Sequence, residues 1–172
     1  MTPPKLVIFD CDGVLVDSEP TTLTLLRDEF EYYGLPLTAE EVDRDYIGVA
    51  MADIAVKARA NGANLPEDWV VSIYAKMFER LRKGVPLIAG IEAALDALDA
   101  AGIPYAVGSN GPMAKMDITL GAHPALLALL KGRIVSAHDC KAGKPEPELF
   151  LKAAAFMSVA PEACVVVDDS VA

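Results

Sequence analysis

Four short apolar runs interrupt an otherwise helical pattern of hydrophobic and polar positions. Lys5-Leu6-Val7-Ile8-Phe9 ends at Asp10, Pro104-Tyr105-Ala106-Val107-Gly108 ends at Ser109, and Ala163-Cys164-Val165-Val166-Val167 ends at Asp168. A weaker run, Arg133-Ile134-Val135-Ser136, lies between the second and third. Short continuous runs rich in β-branched residues predict strands buried on both faces of a parallel sheet. Helical spacing fills the intervals: Ile91, Ala94, Leu95 and Leu98 fall at i, i+3, i+4 and i+7, and Gly102 follows as a stop. Leu149, Phe150, Ala153 and Met157 repeat the pattern. This alternation predicts an α/β core, a parallel sheet with helices on both faces and polar groups gathered at the carboxyl ends of its strands.

From Ser18 to about Val85 the strand pattern disappears. Leu23, Leu26, Phe30 and Tyr33, and later Val70, Ile73, Met77 and Leu81, form helical stripes. Thr38 with Glu41 three residues on reads as a capping box. Gly34-Leu35-Pro36, Gly48, Asn61-Gly62 and Leu65-Pro66 punctuate the helices. The expected organisation is therefore a discontinuous α/β core, residues 1–17 and 86–172, with a helical insert over 18–85. Asp17-Ser18-Glu19-Pro20 and Lys83-Gly84-Val85-Pro86 are its two hinges.

Composition narrows the function classes. Domains commonly span ~50 to ~250 residues, so 172 residues suit one core, or a core with a small inserted domain. Hydrophobic residues make up 53% of the chain, but much of that is dispersed Ala. No run approaches the ~18 apolar residues of a membrane span. Residues 1–9 lack the basic, apolar and cleavage regions of a signal peptide, so a cytoplasmic location and no membrane partner are expected. A net charge of −10 argues against nucleic acid, which is held by Lys and Arg. Cys11, Cys140 and Cys164 are odd in number and lack C-x-x-C spacing, which predicts reduced, buried thiols.

The chemistry-bearing residues sit at the strand ends. Asp10-Cys11-Asp12-Gly13-Val14-Leu15-Val16-Asp17-Ser18 follows the first strand. Two carboxylates two positions apart on a turning segment can face one site, one as nucleophile and one as general acid and base, with a divalent cation suppressing their repulsion. Gly13 lets the backbone turn tightly. Taken alone, an Asp-rich turn closing a strand explains the pair equally well. Ser109-Asn110-Gly111 offers a hydroxyl and backbone N–H groups to phosphate oxygens. Lys144, in Gly143-Lys144-Pro145-Glu146-Pro147, offers a positive charge, and Asp168-Asp169-Ser170 offers hard oxygen ligands of the kind magnesium prefers. Each has a bland reading as turn, loop charge or strand-end pair, but their order along successive strands outweighs it.

This ordered set resembles the four motifs of the haloacid dehalogenase-like superfamily, over Lys5 to Ala172. The resemblance implies a Rossmann-like core and an aspartyl phosphate on Asp10. Asp12 would protonate the leaving oxygen and then activate water, with Ser109, Asn110 and Lys144 on the phosphoryl group. It further implies Mg2+ held by Asp10, the Asp12 carbonyl and Asp169, with Asp168 in direct or water-mediated support. The insert resembles the helical cap of members related to β-phosphoglucomutase, a cap whose closure would exclude water and present specificity residues.

Within the family, Asp12 points to phosphate esters and away from dehalogenases, which have no leaving oxygen to protonate. A mutase pattern has a His about where Thr22 stands and an Arg about where Met51 stands, and both departures count against it. Lys57 and Lys76 read as surface helical lysines, not as the Schiff-base lysine of phosphonate hydrolases. Ser109-Asn110-Gly111-Pro112 with Lys115-Met116, and the ending Val167-Asp168-Asp169-Ser170-Val171-Ala172, are similar to bacterial 6-phosphogluconate phosphatases. The expected partner is a small phosphorylated metabolite, a sugar or sugar acid. His123 and His138 have no evident catalytic partner, Trp69 reads as packing, and Cys11 as a buried side chain.

In the resembled family a helix and at least one strand follow the last motif, whereas this sequence stops at Ala172. The expectation is a core lacking its C-terminal part, with apolar surface uncovered on the strand from Cys164 to Val167 and an unpaired edge open to self-association. Asp168 and Asp169 would then lie on a segment prone to fray. Two outcomes follow: an active phosphatase, or a catalytically weak fragment that binds phosphate or a partner.

Overall fold

Side chains alternate in direction along a strand, so a strand apolar at every position needs cover on both faces. The first strand, β1 (Leu6–Phe9), has that character and is fully buried. It lies between β2 (Tyr105–Ser109) and β4 (Cys164–Val167), with β3 (Ile134–Ser136) outside β2. All pairings are parallel in this computed structural model, which describes residues 3–47 and 49–170. The expected break at Gly48 and the terminal Val171-Ala172 lie outside those residues. Among the described residues the sheet order is β3-β2-β1-β4.

Leu6 and Ile8 point to one face, where they meet α8 (Glu148–Phe156) through Leu149, Ala153 and Ala154, together with Ala106 and Val135. Val7 and Phe9 point to the other, towards Ile91, Ala94 and Leu98 of α5 (Ile91–Ala100) across a cleft of about 740 Å³. Phe9 also meets Tyr105 edge-on, 6.5 Å between ring centroids. Each fully buried side chain of this kind contributes about 1.5–3 kcal/mol relative to exposure. The helix α6 (Met113–Gly121) follows β2 and buries Met116 and Leu120, and α7 (Pro124–Leu130) leads to β3. On β4, Val165, Val166 and Val167 retain 46%, 40% and 38% exposure, which matches the expected uncovered apolar surface on that strand.

The chain divides into two compact units at Asp17/Ser18 and Gly84/Val85. The insert between them contains α1 (Glu19–Tyr32), α2 (Ala39–Tyr46), α3 (Met51–Ala60) and α4 (Trp69–Leu81). The Thr38–Glu41 capping box is present, with Glu41 N–H donating to Thr38 Oγ1 at 3.2 Å and Thr38 N–H to Glu41 Oε2 at 2.8 Å. The helical stripes differ in detail from expectation. In α1 the buried set is Leu25, Leu26, Glu29 and Phe30, while Leu23 and Tyr33 are half-buried, because α1 packs against both α2 and α4 and needs a two-row face. In α4, Trp69 takes the place expected for Val70, giving buried positions Trp69, Ile73, Met77 and Leu81. Phe30 stacks at 6.2 Å on Trp69 and lies 4.7 Å from Tyr46.

Glu29 is a buried charged residue in this core, 8% exposed. It accepts from Trp69 Nε1 at 3.1 Å and Lys76 Nζ at 2.7 Å, so Lys76 is a structural partner. Glu29→Ala leaves the buried indole N–H unpaired and is expected to lower unfolding stability by about 1–3 kcal/mol in a urea titration. Glu29→Gln keeps an acceptor and should recover most of that loss. Wild-type stability in Glu29→Ala would contradict this account.

Of the three cysteines only Cys11 is buried; Cys140 and Cys164 are half-buried, correcting the expectation of three buried thiols. Cys164 begins the sheet-edge strand β4, and Cys140 follows a single 3-10 turn, so neither is enclosed by helices. Among the described residues no helix is long and apolar enough to cross a membrane.

Candidate active site

Parallel strands end on the same side of their sheet, so the residues that follow them converge. Phe9 is in register with Val107 on one side and Val167 on the other. Asp10 donates its N–H to the Val167 carbonyl at 2.9 Å, so Asp10 and Asp168 leave adjacent strands at one level. Ser109 closes β2 in register with Ser136 of β3. Ser136 Oγ donates to the Gly111 carbonyl at 2.8 Å, tying the third strand end to the loop after the second.

The loop after β1 turns on itself. Leu15 and Val16 both donate to the Cys11 carbonyl, and Gly13 N–H donates to the Val16 carbonyl. Val14, Leu15 and Val16 are buried, so this apolar stretch anchors the turn that carries the carboxylates. Gly13 has φ +74°, and a Cβ there would fall 2.0 Å from Asp169 Oδ2. A glycine is required on both counts, and the space it leaves is filled by an acidic group.

Asp10 is 6% exposed. Its Oδ1 accepts from Cys11 N–H at 2.7 Å and its Oδ2 lies 2.7 Å from Lys144 Nζ. The same ammonium is 2.8 Å from Asp168 Oδ2. Burial pushes the Asp10 carboxyl above its ordinary range, although the Lys144 hydrogen bond and charge oppose this. Desolvation pulls Lys144 down, but its hydrogen bonds to Asp10 and Asp168 outweigh that and hold it above the usual lysine range. For Asp168 burial raises the carboxyl, yet Lys144 and two hydrogen bonds from Ser170 leave it below the ordinary value. Oxygens of Asp10, Asp168 and Asp169 all lie within 4.8 Å of one another, a cluster able to hold a metal ion.

Ser109 is buried, and its Oγ accepts from Gly111 N–H at 3.1 Å. A Cβ on Gly111 would lie 3.4 Å from that Oγ and 3.7 Å from Asp12 Oδ2, so Ser109 and Asp12 flank the same glycine. The Asn110 side chain meets the Lys144 backbone: its Oδ1 accepts from Lys144 N–H at 2.8 Å and its Nδ2 donates to the Lys144 carbonyl at 3.3 Å. It clamps the loop that carries the lysine.

Asp10, Asp12, Ser109, Asn110, Lys144, Asp168 and Asp169 thus come together. Lys115 was not among the sequence-derived site residues, yet its Nζ is 2.8 Å from Asp12 Oδ2 and its side chain is 13% exposed. The available signal was a lysine in the first turn of α6, where the helix dipole disfavours a cation. The histidines stand apart: His123 Nε2 lies 2.6 Å from the Val85 carbonyl, and His138 is exposed on the turn after β3.

Comparison with known proteins bears on this geometry. A family model described as haloacid dehalogenase-like hydrolase matches residues 4–172. The chain is 35% identical over 170 residues to 6-phosphogluconate phosphatase of Escherichia coli (strain K12), covering 98% of this chain and 75% of that one. It is 30% identical to hexitol phosphatase A of the same organism, covering 96% and 74%. A haloacid dehalogenase-like protein of unknown function from Agrobacterium tumefaciens superposes with a TM-score of 0.86 at 31% identity, again over 96% and 74%.

Proposed function

We propose that this chain, which belongs to the haloacid dehalogenase-like hydrolase family, hydrolyses a small phosphate monoester, a sugar or sugar-acid phosphate, through an aspartyl phosphate on Asp10. The observation that carries the reading is a buried carboxylate, Asp10, paired with a buried ammonium, Lys144, beside two further carboxylates at the ends of parallel strands. A carboxylate desolvated in this way is a better nucleophile than one in water, and Lys144 neutralises charge on the oxygens being transferred.

Asp10 attacks phosphorus and the ester P–O bond breaks as Asp12 gives its proton to the leaving oxygen. Water then attacks the phosphoryl group, Asp12 takes the proton, and the Asp10–P bond breaks to release phosphate. Ser109 is proposed as a hydrogen-bond donor to phosphoryl oxygens. Asn110 contributes through its hold on the Lys144 loop.

The donor set fits magnesium. Asp10, Asp168 and Asp169 supply hard oxygen ligands within one ion's reach, and the Asp12 carbonyl is proposed as a further ligand. When bound, the ion neutralises charge developing on the phosphoryl group. Gly13→Ala would drive a methyl into the Asp169 carboxylate. It is expected to weaken Mg2+ binding by about 10–100-fold, the range seen when groups supporting metal ligands are disturbed. A calorimetric titration with Mg2+ checks this, and unchanged affinity would count against Asp169 as a ligand.

The helical unit is proposed as the cap that selects substrate. The relatives named for 6-phosphogluconate and hexitol phosphates support a phosphorylated, polyhydroxylated chain as the substrate class. Phosphate release from a panel of sugar, sugar-acid and hexitol phosphates, with and without Mg2+, tests the proposal. Turnover of at least one such ester that requires Mg2+ is expected. A folded protein that turns over none of them would overturn it.

A further inference from the structure

The two lysines at the site divide three of its four carboxylates between them. Lys144 contacts Asp10 and Asp168, whereas Lys115 contacts Asp12 at 2.8 Å. Among the described residues Lys115 forms no other salt bridge. We propose that Lys115 is a positioning residue for Asp12, restraining that carboxylate in the orientation from which it exchanges protons with substrate. The inference rests on the reading of Asp12 as general acid and base.

Three features carry it. First, Lys115 is the third residue of α6, where its charge opposes the positive end of the helix dipole. Such a placement is unfavourable unless an anion compensates, and Asp12 supplies one. Second, a surface lysine ordinarily extends its ammonium to water, but this one folds inward until its side chain is 13% exposed. Third, the two groups border the same residue: a Cβ on Gly111 would lie in van der Waals contact with both, 3.6 Å from Lys115 Cδ and 3.7 Å from Asp12 Oδ2. The buried loop Val14–Val16 fixes the backbone that carries Asp12, and the ion pair restrains its side chain.

Proton transfer is sensitive to such placement. In the first half-reaction the ester P–O bond breaks and the leaving oxygen takes the Asp12 proton. A sugar alkoxide needs that proton, whereas p-nitrophenoxide departs without it. Because kcat/KM reports steps only through release of the alcohol, it isolates this half-reaction from the hydrolysis of the aspartyl phosphate.

Lys115→Met keeps the apolar stem and removes the charge. It is expected to lower kcat/KM for 6-phosphogluconate, or the best ester of the panel, by about 30-fold, within the range attributed to misplaced catalytic groups. For p-nitrophenyl phosphate the loss should stay below about 3-fold, since general acid assistance is then dispensable. Lys115→Arg should recover part of the lost selectivity, and Lys115→Gln, should the Met variant fold poorly, is read in the same way. Equal losses on both substrates, or none on either, would overturn the proposal. Asp12→Asn on the same two substrates separates the two levels of inference. If it shows no leaving-group dependence, the reading of Asp12 fails and the role of Lys115 with it. If it discriminates and the Lys115 variants do not, only the role of Lys115 fails.

Discussion

Asp10→Asn is expected to lower kcat on the order of 10⁴-fold or more, the scale at which loss of a nucleophile abolishes covalent catalysis. The amide has the same shape, retains an oxygen to accept from Cys11 N–H, and keeps its place at the end of β1. It lacks the anionic oxygen that forms the bond to phosphorus. Because burial already penalises the charged form of Asp10, neutralising it should not unfold the protein. Inactivity is therefore expected together with a thermal midpoint close to that of the wild type. A variant retaining a tenth of wild-type turnover would remove Asp10 from the nucleophilic role.

Lys144→Met is expected to produce two effects of opposite sign. Its ammonium lies 2.7 Å from Asp10 and 2.8 Å from Asp168, with its side chain 9% exposed. Without it the transferring phosphoryl group loses a preorganised cation, and kcat should fall by about 10²–10³-fold, as when a group stabilising transition-state charge is removed. Asp10 and Asp168 are also two of the three candidate metal ligands. Removing a positive charge from between them strengthens their attraction for a divalent cation. Apparent Mg2+ affinity should thus rise while turnover falls, measured as the Mg2+ dependence of residual activity. Lys144→Arg is not expected to restore turnover, because a planar guanidinium does not fit a pocket shaped around a compact ammonium. A parallel fall in turnover and Mg2+ affinity would place Lys144 in a merely structural role.

What was legible in the sequence was whatever depends on local pattern. β1, β2 and β4 read clearly because continuous apolar runs stop abruptly at Asp10, Ser109 and Asp168, and parallel topology then brings those ends together. The capping box at Thr38 and Glu41 read equally well, since it spans three residues. The buried stripe of α1 was less legible. Leu23 and Leu25 are equivalent in hydrophobicity, and which one turns inward depends on α2 and α4 packing from two sides. Glu29 looks like a surface acid until Trp69 and Lys76, some 40 and 47 positions away, are placed beside it.

The candidate site follows the same division. Asp10, Asp12 and Gly13 share a nine-residue segment with Ser18 and announce themselves together. A phosphate role for Asn110 is legible from its place in Ser109-Asn110-Gly111, whereas the pairing of its side chain with backbone groups of Lys144, 34 positions away, is not. Gly143 belongs to the same contact: a Cβ there would lie 2.5 Å from Asn110 Oδ1. Lys115 was masked by its helix, where a lysine is ordinarily a solvated charge, and only the fold of the β1 and β2 loops brings Asp12 to it.

The central claim, that phosphoryl groups pass through Asp10, is tested most directly by acid-quenching the protein during turnover of a sugar phosphate with Mg2+ and mapping its peptides by mass. A phosphoryl adduct labile to hydroxylamine is predicted on the peptide containing Asp10 and absent from Asp10→Asn; in Asp12→Asn, where water activation is lost, it should accumulate when p-nitrophenyl phosphate, whose leaving group needs no proton, is the donor. Sustained phosphate release without that adduct, or with the adduct on a different residue, would contradict the account.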